Sequence, residues 1–137
     1  MPSKGRRPQN FRYRKGYPLA GSAFINSHEE ALWLRRNGFH TVISLEPISG
    51  SMSRELEKLG IKHVSLPVLD ADEGPYMSRV QIERLRNLVR GEWEGNREVL
   101  VHCMEGKGRT GEALGLLHSL GREMFPKREV SKRVGRN

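Results

Sequence analysis

Apolar runs alternate along this chain with apolar stripes at helical spacing. His40-Thr41-Val42-Ile43-Ser44-Leu45 and Val99-Leu100-Val101 are dense enough in apolar residues to be strands buried on both faces, and Ile61 to Val68 predicts another. Between them lie helical patterns. Ser27-His28-Glu29-Glu30 has the spacing of a capping box, and Ala31, Leu32 and Leu34 continue a short helix that Gly38 stops. Ser53 to Leu59 predicts a brief helix ended by Gly60. Ser78 to Arg90 carries Val80, Ile82, Leu85, Leu88 and Val89 on one face, with Gly91 at its end. Gly111-Glu112-Ala113-Leu114-Gly115-Leu116-Leu117 begins a last helix directly after the Val99 strand. Such βα alternation predicts an α/β fold: a mainly parallel central sheet of about four to five strands flanked by helices.

Length and charge refine the picture. The 137 residues suffice for one sheet-centred domain, placed at 17–137. Residues 1–16 are set apart as a basic, partly mobile arm: Lys4, Arg6, Arg7, Arg12, Arg14 and Lys15 have no acid among them. No repeat is found, and no apolar span suits a membrane helix or a signal peptide. One cysteine allows no internal disulfide, so a cytoplasmic, reducing location is expected. A net charge of +8 attracts anionic partners, other polyanions included, although a basic surface is often merely solvated. The five histidines stand singly, at 28, 40, 63, 102 and 118, without the paired spacing of metal ligands.

Chemistry concentrates in His102-Cys103-Met104-Glu105-Gly106-Lys107-Gly108-Arg109-Thr110-Gly111, which joins the end of a strand to the start of a helix. Such a junction favours an anion. Gly106 and Gly108 let the backbone curl until successive N–H groups of the loop 104–109 point inward as a nest for phosphate oxygens. Arg109 offers a planar fork to two of those oxygens. A lone cysteine after a strand is commonly just a small buried hydrophobe; here it shares the field of the amides, the helix end and the guanidinium. A thiol with an ordinary pKa of about 8.5 is lowered by such surroundings. Thr110 follows and can donate its hydroxyl to the sulfur.

His102, Cys103, Gly106, Gly108, Arg109, Thr110 and Gly111 together resemble the signature of the cysteine-dependent protein tyrosine phosphatase superfamily, in particular its compact dual-specificity branch, of the form His-Cys-x-x-Gly-x-x-Arg-Ser/Thr. The resemblance implies a phosphomonoester hydrolase that works through a phosphocysteine intermediate, with Cys103 as nucleophile, Arg109 and residues 104–109 holding the phosphoryl oxygens, Thr110 supporting the sulfur and His102 orienting the cysteine's backbone. It implies no metal and no other cofactor. An acid must protonate the leaving oxygen, and aspartate occurs only at Asp70 and Asp72; spacing favours Asp70, with Asp72 as the alternative.

The expected partners are phosphorylated proteins or peptides, met by a monomer. No segment resembles the deep phosphotyrosine-recognition loop of the larger tyrosine phosphatases, which favours tolerance of phosphoserine and phosphothreonine. Gly106-Lys107-Gly108-Arg109-Thr110-Gly111 also resembles the loop of phosphatase-and-tensin-homologue lipid phosphatases, but Met104 stands where that group has lysine, and Glu105 reduces the positive potential. A phosphoinositide phosphatase and an RNA 5′-triphosphatase are therefore alternatives, and a catalytically silent phosphate-binding module is one from a different class. The chain departs from the family after the last helix. Only Arg122 to Asn137 remain there, room for one short closing helix.

Overall fold

The computed structural model describes residues 4–126. Its elements run β1 (Arg12–Tyr13), β2 (Leu19–Ser22), α1 (His28–Arg36), β3 (Phe39–Ser44), α2 (Gly50–Lys58), β4 (Lys62–Ser65), α3 (Arg79–Glu94), β5 (Glu98–His102) and α4 (Gly108–Met124). The strands form one sheet in the order β1-β2-β5-β3-β4, parallel throughout except for β1 against β2. This is the expected mainly parallel sheet, with five strands.

Alternation along the strands divides the core between the two faces. Leu19, Ile43, Val99 and Val101 pack with Leu85 and Val89 of α3 and Leu114 and Leu117 of α4. Their neighbours Ala20, Val42 and Leu100 point the other way, onto Ala31 and Leu34 of α1 and Met52 and Leu56 of α2. Both faces are covered, so the middles of the inner strands are apolar on both sides, at Val42-Ile43 and Val99-Leu100-Val101.

Several boundaries differ from expectation for identifiable reasons. Helix α2 begins at Gly50 rather than Ser53 because the Ser49 hydroxyl accepts the Met52 N–H at 3.1 Å. Helix α3 passes the expected stop at Gly91 and runs to Glu94. Its extra turn is anchored by Trp93, whose indole donates to the Pro18 carbonyl at 3.0 Å, and by buried Glu92, which accepts from Thr41, Lys62 and Arg97. Strand β4 is shorter than 61–68, although Leu66 and Val68 still donate to Ser44 and Leu45 at 2.9 Å. The capping box expected at Ser27 is half made: Ser27 accepts from the Glu30 N–H, but the Glu30 carboxylate takes the Asn26 N–H instead. A complete box caps α3, between Ser78 and Gln81.

Strands β1 and β2 go beyond what the apolar pattern predicts. Residues 4–16, expected as an arm, lie against the domain, and Arg12–Tyr13 pairs with Ala20–Gly21 as the antiparallel edge. Most of the segment expected to form a closing helix falls outside the described residues. Among the described residues no helix is long and apolar enough to cross a membrane.

Candidate active site

Register sets the site. Ser22, His102, Ser44 and Ser65 stand in one row where the parallel strands end, and β5 is flanked on both sides. The chain leaving β5 therefore emerges at the C-terminal edge of the sheet, where open α/β sheets bind ligands. Cys103 is its first residue, and α4 begins five residues later.

The loop curls tightly. Gly106 has φ +79°, and a Cβ there would lie 2.5 Å from the Ser22 carbonyl carbon and the Ala23 nitrogen, so only glycine fits. This conformation turns the Gly106 N–H onto the Cys103 Sγ at 3.3 Å. First-turn N–H groups of a helix have no intrahelical acceptor, and Lys107, the residue before α4, offers them no side-chain cap. Thr110 supplies a second donor, its hydroxyl 3.0 Å from the same sulfur. Burial by itself would push the thiol up. The Thr110 hydroxyl, the Thr110 and Gly106 N–H groups and the Arg109 charge outweigh it and hold Cys103 below an ordinary thiol.

Arg109 is 3% exposed and is held from one side. Its Nη1 donates to Glu46 Oε1 at 2.9 Å and to the Val68 carbonyl at 2.8 Å. Nε and Nη2 make no hydrogen bond among the described residues, so one edge of the guanidinium fork is open to two oxygens of an anion. Asp70 Oδ2 lies 3.7 Å from Nη2, and the Asp70 side chain is exposed. Asp72 is exposed in the same loop and makes no ion pair or hydrogen bond among the described residues. Of the two candidates, the structure brings only Asp70 to the arginine.

His102 lies under the loop, fully buried, and burial lowers its pKa to about 4. The neutral ring fixes a directional chain. Because the Cys103 carbonyl can only accept, Nδ1 donates to it at 3.1 Å, and Nε2 must then accept from the Ser44 hydroxyl at 2.6 Å. Ser44 in turn accepts from His63 Nε2 at 2.9 Å, and His63 Nδ1 accepts from Ser53 at 3.1 Å. His102 thus orients the Cys103 backbone. Met104, Glu105, Lys107 and Gly108 of the loop are exposed.

Sequence reasoning missed the supports. Glu46 comes from the loop after β3, and the Ser44–His63–Ser53 chain from β3, β4 and α2. Glu112 accepts both the Tyr76 and Met77 N–H groups at 2.8 Å, tying the end of the aspartate loop to α4. Tyr76 packs on Gly108, where a Cβ would meet its hydroxyl at 2.5 Å. No local signal marks these partners, although an acid so soon after Thr110 in an otherwise apolar helical stripe is unusual.

Comparison with known proteins bears on the family and the fold. The profile of the family described as "Tc-R-P: Polymorphic toxin system, DSP-PTPase phosphatase" matches residues 21–119. Among solved structures, the core catalytic domain of the PP-IP phosphatase Siw14 from S. cerevisiae superposes with a TM-score of 0.69 at 22% identity, covering 84% of this chain and 68% of that one. A mutant form of Tk-PTP gives 0.62 at 21% identity, over 93% and 97% of the two chains. Kinase associated phosphatase gives 0.62 at 14%, over 81% and 76%. At these identities the likeness establishes the fold. No curated protein matches the sequence.

Proposed function

The chain belongs to the polymorphic toxin system DSP-PTPase phosphatase family and is a cysteine-dependent phosphatase; from that premise we propose that Cys103 is its nucleophile and Asp70 its general acid, acting on phosphomonoesters of more than one shape. The observation that carries this reading is the sulfur itself, held by the Thr110 hydroxyl and the Gly106 N–H in a loop whose arginine keeps two donors open. Sγ attacks phosphorus while Nε and Nη2 of Arg109 and the loop amides hold the equatorial oxygens. The bond to the leaving oxygen breaks, and Asp70 gives that oxygen its proton. Asp70, now a carboxylate, takes a proton from water, which attacks the phosphocysteine. Phosphate leaves, and the thiolate returns to the Thr110 hydroxyl.

The breadth of substrate follows from the rim. Leu69 and Asp70 of the aspartate loop and Met104 and Lys107 of the phosphate loop are exposed, which suits both aryl and alkyl phosphates and so the phosphotyrosine, phosphoserine and phosphothreonine of dual specificity. A second reading, small molecules bearing several phosphates, is favoured by the basic segment seated beside the loop and is developed below.

Turnover of an aryl phosphate in reductant and EDTA tests the proposal. Cys103→Ser abolishes turnover while retaining phosphate or vanadate binding, and Asp70→Asn slows it by about 10²–10⁴, with Asp72→Asn close to wild type. Tight oxyanion binding without turnover by the wild-type protein would establish the silent module instead. A large loss in Asp72→Asn alone would move the acid to that residue.

A further inference from the structure

The basic N-terminal segment is built into the rim of the phosphate loop. The Asn10 side-chain amide donates to the Glu105 carbonyl at 2.7 Å, and Arg12 Nη1 donates to the Gly106 carbonyl. Further back, the Ala23 N–H donates to the Gln9 carbonyl at 2.8 Å and the Arg6 N–H to the Glu29 carbonyl at 2.9 Å. Gly5, with φ +85°, lies so close to α1 that a Cβ would sit 2.5 Å from the Glu29 carbonyl oxygen. Fastened at these points, the segment carries Arg6 and Arg7 to a fixed place.

That place is the wall of a cavity of about 540 Å³ that borders the loop at Met104, the residue after the nucleophile. Phe24, whose N–H donates to the Met104 carbonyl at 3.0 Å, forms the adjoining wall. Neither guanidinium makes a hydrogen bond or ion pair among the described residues. The one carboxylate in the lining, Glu30, is buried and engaged by the Asn26 N–H. Two guanidinium groups that make no ion pair among the described residues, held beside a phosphate nest with one buried carboxylate in the lining, form a site for another phosphate, because paired arginines match its oxygens and a single exposed cation does not.

We propose that Arg6 and Arg7 form a second phosphoryl subsite, and that among phosphomonoesters this site favours a small molecule with at least two phosphates, one presented to Cys103 while its neighbour occupies the cavity. The inference rests on the phosphatase reading above and names the substrate class of that site. Two sources share this chemistry: phosphates on adjacent carbons of a cyclitol ring, and the phosphoanhydride chain of a nucleotide.

The test measures kcat/KM of the full chain for inositol hexakisphosphate, for ATP, for a doubly phosphorylated peptide and for p-nitrophenyl phosphate, in wild type, Arg6→Ala/Arg7→Ala and Arg6→Lys/Arg7→Lys. For one of the two polyphosphates, the ratio of kcat/KM over that for the aryl phosphate falls about 10- to 100-fold in the alanine pair, through KM rather than kcat, with partial recovery in the lysine pair. Which polyphosphate responds identifies the source. An unchanged ratio overturns the subsite, as does a wild-type preference for a doubly phosphorylated peptide over both small molecules. A wild-type protein that leaves the aryl phosphate intact fails the phosphatase reading itself, a separate outcome.

Discussion

Replacing Thr110 by valine removes the hydroxyl's hydrogen bond to the sulfur, at 3.0 Å, and its longer contact to the Ser22 carbonyl, at 3.4 Å. The Thr110 side chain is fully buried, its hydroxyl stands 3.0 Å from Cys103 Sγ, and valine retains the methyl that packs over Gly21. A hydrogen bond to a charged acceptor contributes roughly 1.5–3 kcal/mol, and each pH unit corresponds to about 1.4 kcal/mol. Thr110→Val should therefore raise the apparent Cys103 pKa by about one to two pH units, because the lost donor favours only the ionised form. The assay is the pH dependence of alkylation by iodoacetamide at the chain's single cysteine. Wild type inflects below an ordinary thiol, the variant inflects higher, and turnover near neutral pH falls with the lost thiolate. The second step suffers most, since the returning thiolate is the leaving group there. An inflection that stays put in a folded variant would show that the hydroxyl does not stabilise the thiolate, and the electrostatic account of this loop would fail with it.

Other consequences follow from the same contacts. Gly106→Ala forces a Cβ into the Ser22–Ala23 backbone at a left-handed position and should cost roughly 2–4 kcal/mol, together with oxyanion binding, read by urea unfolding and vanadate titration. Glu112→Gln turns one acceptor towards the Tyr76 or Met77 N–H into a donor. It should slow substrates with poor leaving groups far more than aryl phosphates, because the loop it releases carries Asp70; equal losses on both would refute that role. His102 titrates near 4 when folded and near 6.5 when unfolded, so the unfolded chain binds the extra proton between those values. Stability should fall by about 3 kcal/mol as pH drops from 6.5 to 4. His63, also lowered by burial, adds to the same slope, and a flat urea-midpoint profile over that window would contradict the buried, neutral assignment.

The ten residues from His102 to Gly111 make the chemistry legible in the sequence itself, because nearly all of its decisive contacts are local. Sulfur, glycine turn, helix start and threonine hydroxyl lie within eight residues of chain, so spacing alone determines how they meet. The alternation of apolar runs and stripes likewise determines the α/β class, since burial on both faces leaves continuous apolar runs in the central strands β3 and β5. Boundaries are less legible where a distant group intervenes. Gly91 fails to stop α3 because Thr41, Lys62 and Arg97 converge on Glu92.

What supports the loop belongs to the tertiary structure alone. Arg109 is gripped by Glu46 from 63 residues away, the loop's Gly106 carbonyl by Arg12 from 94, and the aspartate loop by Glu112 from 36. A carboxylate or guanidinium carries no local mark of its partner, because the pairing is decided by which strand ends the sheet places side by side. Residues 4–16 show this most plainly: composition marks them only as basic, and strand pairing at Arg12–Tyr13 makes them a wall of the site.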